Sequence, residues 1–378
     1  MARRGTIAVE IKESKMLMAN YKDLNPEEFK IKSVVIAGVD CVLIIPEIDA
    51  HWDKDRIIFR SSIWTVEGYP VSLSFKKFFN WEEQIQLVPI PMDLADCDFP
   101  EKIDGSCLIV SKFRGQLVIR TRGTIDARQL DNGYEIDYLI EKYPLAFDNE
   151  MLDEEKYSII YEWTTPNNRI ILDYGEDPSI YLTGIVRHED YSYLSQDSLN
   201  DLAQKWRVKR PKIYHFDSID DMVKSVEAFD GVEGVCAYFN CGQEIKKVKG
   251  LKYLALHRFK SQCTIRNLYD LFYQNKFANK NEFFTYIEKN FDFECAKMSF
   301  EYIDQIIDSW SKVEIKIQTI MDWLPYVKEM GRKDAARKII ERFGAERVQD
   351  IAFTLLDGRD VMDKQYRRLM GNELGVDL

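Results

Sequence analysis

Short apolar runs separated by turn residues fill the first two thirds of the chain. Runs of this length, rich in Val, Ile and Tyr, are typical of β-strands. They begin at Ser33, Cys41, Cys107, Gln116, Tyr157, Arg169 and Ile180. Residues 199–206 and 218–229 instead repeat apolar residues at helical spacing, and Ser218 is placed to cap the second of these helices. This mixture predicts an α+β fold with mainly antiparallel sheets.

From about residue 264 the pattern changes to long segments of helical period. They cover residues 265–274, 280–290, 298–330, 332–343, 346–356 and 359–370. Pro325 should interrupt the third segment, because proline lacks the backbone N–H that a helix interior needs. No strand-like run occurs in this part of the sequence. We therefore predict two domains, an α+β domain of residues 1–260 and an all-α domain of residues 261–378.

Composition limits the class of protein. The 378 residues include 46% hydrophobic side chains, enough for a core in each of two domains. No stretch approaches the roughly 18 to 20 apolar residues of a membrane span, and the basic start, Met1 to Thr6, lacks the apolar segment of a secretory signal. Seven cysteines without a Cys-x-x-Cys pair argue against a zinc site or a disulfide framework. We expect a reduced, cytoplasmic protein.

The net charge of −11 disfavours a protein that coats nucleic acid through charge alone. It leaves room for an enzyme that binds a few phosphates in a local basic pocket.

Lys102 lies in the string Lys-Ile-Asp-Gly-Ser, residues 102–106. A lysine on a tight turn can attack the α-phosphate of a nucleotide and hold it covalently, provided that cationic neighbours or desolvation lower its pKa. Taken alone, the string is better explained by an ordinary exposed turn, since Asp-Gly is a common turn dipeptide.

The motifs around Lys102 favour the chemical interpretation. They are Phe59-Arg60-Ser61-Ser62, Lys76-Lys77-Phe78-Phe79-Asn80, Arg120-Thr121-Arg122-Gly123, Tyr161-Glu162-Trp163, Val232-Glu233-Gly234-Val235 and Lys247-Val248-Lys249. In their order and spacing, from Arg60 to about His257, the chain resembles the covalent nucleotidyltransferase superfamily of RNA ligases, DNA ligases and capping enzymes. It is most similar to the phage RNA ligase 1 family. The resemblance implies an antiparallel-sheet nucleotidyltransferase (ATP-grasp-like ligase) domain.

Lys247 and Lys249 alternate on a strand-like segment, so both should face the same side. Two ammonium groups there would hold the α-phosphate, neutralise charge at phosphorus and lower the pKa of Lys102. The plain alternative for an isolated Lys-x-Lys is a solvated strand face. Glu162 should lie opposite Tyr161 and Trp163 by the same alternation.

The resemblance assigns roles to the other motif residues. It implies that Lys102 is the nucleophile, that Glu162 accepts a hydrogen bond from the ribose, and that Glu233 is the protein ligand of Mg²⁺ (or Mn²⁺). The nucleotide would be bound by Arg60, Lys77, Phe79, Asp104, Gly105, Arg122, Glu162 and Glu233. Structural alternatives are core packing for Phe79, an exposed strand position for Glu162 and a turn for Glu233.

The chain departs from the family pattern at three positions. The family typically has lysines where this chain has Arg120 and Arg122, and a guanidinium differs from an ammonium in reach and geometry. The family commonly has glycine where this chain has Ser61. These departures leave the role of the two arginines open.

The resemblance implies an ATP-dependent RNA ligase that joins RNA 5′-phosphate and 3′-hydroxyl ends, with tRNA repair as its setting. We expect a monomer in the cytoplasm, the host's cytoplasm if a phage encodes it. The helical C-terminal domain favours RNA ligases over relatives that carry a β-rich second domain. Its basic residues are Arg332, Lys333, Arg337, Lys338, Arg342 and Arg347. They form either an RNA-facing surface or a solvated helix face.

Two other functions stay open. One is a GTP-dependent mRNA capping guanylyltransferase, and the other is a non-catalytic RNA-binding protein on the same fold. The second would be expected to have lost Lys102 or the paired lysines, which this chain keeps.

Overall fold

A computed structural model describes residues 17–291 and 293–378, so the basic start at Met1 to Thr6 lies outside the described residues. The chain divides into two compact units, one ending at Leu254 and one spanning Ala255–Leu378. The division falls inside the helix Leu251–Gln262, which also contains the boundary predicted from the sequence between residues 260 and 261.

The first unit is built on antiparallel sheets. Its strands are β1 (Phe29–Ile36), β2 (Val39–Pro46), β3 (Ser62–Thr65), β4 (Pro70–Ser72), β5 (Phe79–Asn80), β6 (Phe99–Pro100), β7 (Ser106–Phe113), β8 (Gln116–Arg120), β9 (Tyr157–Thr164), β10 (Ser179–Arg187), β11 (Ile213–Tyr214), β12 (Gly234–Phe239) and β13 (Glu244–Lys249). The sheets have the orders β1-β2-β3-β4, β10-β9-β7-β8, β12-β13-β5 and β11-β6. Among these thirteen described strands the β13–β5 pairing is parallel and the others are antiparallel.

The described chain also contains α-helices in both units. They are α1 (Glu135–Lys142), α2 (Pro144–Phe147), α3 (Glu150–Asp153), α4 (Gln196–Trp206), α5 (Ile219–Glu227), α6 (Leu251–Gln262), α7 (Ile265–Asn275), α8 (Lys280–Asn290), α9 (Phe293–Trp323), α10 (Pro325–Lys328), α11 (Arg332–Phe343), α12 (Gln349–Leu356) and α13 (Asp363–Leu374). Three single 3₁₀ turns lie at Ile57–Phe59, Ala127–Gln129 and Pro166–Asn168.

These elements confirm the predicted fold class, an α+β region with antiparallel sheets followed by a helical region. In the second unit, the residues on both sides of position 292 form helices and contain no strand. Ser218 caps α5 by accepting a hydrogen bond from the Asp221 N–H, and the third long C-terminal helix ends at Trp323, just before Pro325. No helix in the described ranges is long and apolar enough to cross a membrane.

One strand prediction is wrong. The apolar run that begins at Arg169 forms a loop, because the backbone N–H groups of Ile171 and Leu172 donate to a side chain, Oδ2 of Asp104, at 2.8 and 2.9 Å. Their donors are therefore unavailable to a neighbouring strand.

Strand β9 is the centre of the first unit. Its odd-numbered residues Ile159, Tyr161 and Trp163 pack into a core with α1, α2 and α4, while Ile160 packs on the opposite face against the β1–β4 sheet. Glu162 therefore lies on the face opposite Tyr161 and Trp163, as alternation predicts. Both faces of the strand are covered, which fixes its register and the direction of each side chain.

Gly234 opens β12 in a conformation that other residues rarely adopt. Its φ is +152°, and a Cβ placed on it would lie 2.0 Å from the Val248 carbonyl oxygen. The glycine thus permits close approach of β12 to β13, and it fixes the position of Glu233 before it.

We expect Gly234→Ala to lower the free energy of unfolding by more than about 3 kcal/mol, because strain and a backbone clash coincide. Gly242→Ala is the matched control, since Gly242 also has a positive φ of +75° but has no atom within 4 Å of the point where a Cβ would lie. The control should lose only about 1 kcal/mol. Urea unfolding measures both, and equal losses would contradict the steric account.

Candidate active site

The Glu233 carboxylate joins two lysine side chains. Its Oε2 lies 2.9 Å from Nζ of Lys102, and its Oε1 lies 2.8 Å from Nζ of Lys249. The Glu233 side chain is only 2% exposed, whereas Lys102 and Lys249 are 22% and 20% exposed. The backbone supports this arrangement, since the Lys102 N–H donates to the Gly234 carbonyl at 2.8 Å. A buried carboxylate thus holds two ammonium groups at the edge of solvent.

Strand β13 presents Lys247 and Lys249 on one side, as predicted. Lys246, the residue before Lys247, points away and donates from Nζ to the Glu83 carbonyl. Burial, together with the nearby charges of Lys249 and Arg60, lowers the pKa of Lys247 to about 8. The side of the strand that faces Lys102 is therefore crowded with positive charge.

The predicted effect on Lys102 itself is wrong. Burial pulls the pKa of Lys102 down, but the charges of Glu233 and Glu162 and the hydrogen bond to Glu233 outweigh it, so the pKa is raised above its ordinary value. The sequence placed Lys247 and Lys249 near Lys102 only through the family resemblance, and it gave no sign that a carboxylate lies in direct contact with Lys102. In this state Lys102 is an ammonium ion at neutral pH.

Glu162 lies on β9 beside Lys102. Burial raises its pKa to about 7, with the charge of Lys102 acting in the opposite direction. The Gly105 N–H donates to this side chain and favours its ionised form. A Cβ on Gly105 would lie 2.5 Å from the Trp163 carbonyl oxygen, so the turn after Lys102 can approach β9 only with glycine at this position.

The Asp104 carboxylate accepts hydrogen bonds from other parts of the protein. Besides the two amides of the 169–172 loop, its Oδ1 accepts a hydrogen bond from the Tyr253 hydroxyl at 2.7 Å, and its side chain is buried. Its carboxylate oxygens thus hold the turn, the loop and the start of α6 together. Beside it lies a cavity of about 170 Å³. The cavity is lined by Asp104, Thr164, Thr165, Pro166, Asn168, Arg169, Leu172, Asp173, Tyr174 and Gly175.

Arg60, Lys77 and Phe79 lie together with aromatic rings. The Arg60 guanidinium lies 4.4 Å from the Phe78 ring centre, and the Lys77 ammonium lies 5.3 Å from Trp52 and 5.5 Å from Phe79. Burial and the charge of Arg60 lower the pKa of Lys77. Phe79 is a buried strand residue that also packs against Val88 and Phe239. Trp52 and Phe78 were missed by sequence reasoning, because an aromatic residue alone gives no signal that a cation lies over it.

The two arginines of the 120–123 motif differ in burial and in the groups that they contact. Arg122 is exposed, and its charge reaches both Arg60 and Glu162. Arg120 is fully buried and donates to Ser61 and Ser72. The structure therefore brings Arg122, and not Arg120, to the side of the nucleotide-binding candidates.

A metal ion would have to take most of its ligands from outside the protein. Across residues 17–291 and 293–378, no group of three or more His, Cys, Asp or Glu side chains is placed to hold one. A single carboxylate with substrate phosphates and water is a usual way of binding Mg²⁺, and Glu233 fits that pattern.

The basic residues predicted as an RNA-facing surface belong to the second unit. They lie along and just after α11, and several are paired with acids: Arg337 with Asp334 at 3.4 Å and Lys338 with Glu341 at 3.0 Å. Pairs of this exposed kind are weak.

Comparison with known proteins identifies the family of this chain. Residues 69–281, more than half of the chain, match the model of a family described as RNA ligase. The protein therefore belongs to the RNA ligase family, which confirms the resemblance drawn from its motifs.

Two relatives share 27% identity with the chain. One is a protein of Autographa californica nuclear polyhedrosis virus named as a bifunctional polynucleotide kinase/RNA ligase, aligned over 63% of this chain and 36% of its own length. The other is an RNA ligase of Rhodothermus phage RM378, aligned over 56% of this chain and 61% of its own length. The chain thus spans less than two thirds of either relative. Among solved structures, an archaeal ATP-dependent RNA ligase aligns over 88% of this chain and 93% of its own, with 13% identity and a TM-score of 0.43.

The raised pKa of Glu162 predicts a pH-dependent stability. Between its ordinary value of 4.5 and about 7, the folded state keeps a proton that the unfolded state has lost, so this group makes the protein less stable as the pH rises. Glu162→Gln removes the titration. We therefore compare the free energy of unfolding of Glu162→Gln with that of the wild type. As the pH rises from 5 to 7.5, this difference should shift in favour of the variant by on the order of 2 kcal/mol.

Urea unfolding at the two pH values measures this difference, with Glu154→Gln, an exposed acid of the same unit, as the control. A difference between Glu162→Gln and wild type that is the same at both pH values would contradict the assignment.

Proposed function

We propose that the protein is an ATP-dependent RNA ligase that joins RNA 5′-phosphate and 3′-hydroxyl ends through a lysyl-AMP intermediate. The observation that carries the proposal is the grouping of Lys102 with Glu233, Lys249 and Lys247 at one partly open position. A nucleophilic amine, a carboxylate and further cations meet there, in a chain whose overall charge is negative.

In the first step the Lys102 amine, after losing its proton to solvent, attacks the α-phosphorus of ATP. A nitrogen–phosphorus bond forms, the bond between the α- and β-phosphates breaks, and pyrophosphate leaves. Lys247 and Lys249 are placed to hold the α-phosphate and neutralise the charge that develops on it. Because Glu233 is the partner that raises the pKa of Lys102, loosening that ion pair when substrate binds favours the free amine.

Glu233 would hold a divalent ion, Mg²⁺ or Mn²⁺, with the remaining ligands from phosphates and water. Such an ion supplies positive charge at the phosphates.

The next two steps are also displacements at phosphorus. The RNA 5′-phosphate takes AMP from Lys102 and forms a pyrophosphate-linked, adenylylated end. A 3′-hydroxyl then attacks that end, forms the phosphodiester and releases AMP. Catalysis in such reactions comes mainly from positioning and from charge neutralisation.

The remaining site residues are proposed to bind the nucleotide. Glu162 would accept a hydrogen bond from the ribose. The ribose or the phosphates would be contacted by Arg60, Lys77 and Arg122. Phe79 would shape the pocket. Asp104 and Gly105 would act by shaping the turn that carries Lys102, which is supported by the bonds of Asp104 to its own chain and by the close approach of Gly105 to β9.

The substrate of the whole protein is proposed to be broken tRNA in the cytoplasm, the host's cytoplasm if a phage encodes the chain. Adenylyl transfer is assigned to residues 1–260, and recognition of RNA to the helical domain of residues 261–378, acting as a monomer. An RNA surface there is supported by the exposed cations of α11, whose acidic partners hold them weakly.

Lys102→Ala should abolish the adduct that forms with ATP and a divalent metal, because the variant lacks the amine proposed to attack the α-phosphorus. Lys112→Ala is the matched control, because Lys112 lies on β7 and pairs at the surface with Asp153. Mass spectrometry of the intact protein and of its peptides should find one adenylyl group on Lys102 in the wild type and in the control. An adduct that persists in Lys102→Ala would show that another residue is the nucleophile.

Labelled GTP in place of ATP separates the proposal from its rivals. An adduct formed only with GTP would indicate a capping guanylyltransferase, and a folded protein that forms no adduct with either nucleotide would indicate a non-catalytic RNA-binding protein.

The third step gives a separate prediction. Lys102→Ala should still join RNA whose 5′ end carries AMP already, because that step uses no lysyl-AMP, although the variant should fail with ATP and 5′-phosphorylated RNA. Gel analysis of the two substrates measures joining. Loss of both reactions in a folded variant would contradict a role confined to adenylyl transfer.

A further inference from the structure

Arg120 is a buried arginine whose five N–H donors are all used. Its side chain is 0% exposed on β8. Nε donates to Ser72 Oγ at 2.8 Å, Nη2 to the carbonyls of Ser61 and Ser72 at 2.9 and 2.8 Å, and Nη1 to Ser61 Oγ at 3.1 Å and the Thr121 carbonyl at 3.2 Å. Since a guanidinium has five N–H groups, none is left for a substrate.

Ser61, the main partner of Arg120, has an unusual backbone. Its φ is +61°, in the left-handed region that favours glycine. Arg120 binds both its carbonyl and its hydroxyl, and the same hydroxyl donates to the Arg122 carbonyl at 2.6 Å. The turn at Ser61 therefore connects Arg60, the preceding residue, to Arg122.

The other end of Arg120 is anchored in the middle of the first unit. Ser72 is hydrogen-bonded to Ser111 at 2.8 Å, Ser111 to Ser158 at 2.9 Å, and Ser158 to Nε2 of His188 at 2.8 Å. All four residues of this hydrogen-bonded series are buried. The guanidinium thus connects the buried turn at Ser61 to a hydroxyl network that spans β4, β7 and β9.

We infer that Arg120 is a positioning residue that holds Ser61 in its left-handed conformation and thereby places Arg60 and Arg122 for the nucleotide. The inference rests on the proposed function. Ser61 and Arg120, two positions at which the chain departs from the family pattern, act as one unit. A lysine at position 120 would have a single ammonium and could not hold Ser61 and Ser72 together in the same fork.

The test compares Arg120→Met with Arg210→Met, each in the full chain. Arg210 is half-buried. Like Arg120 it donates to several groups of the protein, namely the Leu182 carbonyl, Gln196 Oε1 and Asn200 Oδ1, and none of these residues belongs to the nucleotide site. Thermal unfolding gives the stability of each variant, and steady-state joining of 5′-phosphorylated RNA at varied ATP gives its KM for ATP and its kcat.

Arg120→Met should raise the KM for ATP by about tenfold to about a hundredfold, because small misplacements of binding groups have effects of this size, while kcat changes little. Arg210→Met should lose stability with an unchanged KM. If Arg120→Met does not fold, Arg120→Lys takes its place and should also raise the KM.

Two combinations test whether Arg120 acts through its neighbours. In an Arg122→Ala background, Arg120→Met should raise the KM further by much less than it does alone. Ser61→Gly should restore part of the ATP affinity of Arg120→Met, since glycine adopts the left-handed conformation without support. A merely structural role predicts neither result.

An unchanged KM in folded Arg120→Met, or fully independent effects of Arg120 and Arg122, would overturn the inference and leave the proposed function standing. A wild-type protein that forms no lysyl adduct would overturn the proposed function, and the inference with it.

Discussion

The ion pairs of Glu233 are the interaction on which the site depends. A buried carboxylate is costly unless it is paired, and here Lys102 and Lys249 pair its two oxygens. The three residues come from different parts of the chain: the turn after β6, the residue before β12 and the end of β13. Their charges therefore stabilise the junction of those segments as well as placing an amine at the edge of solvent.

The scaffold around this junction is made by close backbone approaches. Gly105 lets the turn after Lys102 lie against β9. Gly234, which directly follows Glu233, lets the start of β12 lie against β13. Asp104 then fixes the same turn from the other side through its bonds to the 169–172 loop and Tyr253. Asp104 thus fixes the geometry of the turn that carries Lys102.

The sequence predicted those parts of the fold and site that repeat a local pattern. Alternation placed Glu162 opposite Tyr161 and Lys247 beside Lys249, and helical period with Pro325 placed the break after α9. The loop at 169–172 was predicted to be a strand because its apolar residues look like one. Its backbone is bonded to the side chain of Asp104, 67 residues away from Ile171, and no local pattern reports such a contact.

The prediction for the pKa of Lys102 failed for a related reason, and it bears on mechanism. The sequence showed cations near Lys102, and cations lower the pKa of an amine. In the structure, however, the Glu233 carboxylate is in direct contact with Lys102, 2.9 Å from its Nζ. In the proposed mechanism, the Lys102 ammonium ion must therefore lose its contact with Glu233 before the amine can attack a nucleotide. Lys247 and Lys249 would then bind the phosphate, and the reactivity of the amine would depend on Glu233. On this proposal the carboxylate controls the amine, whereas the lysine pair provides binding.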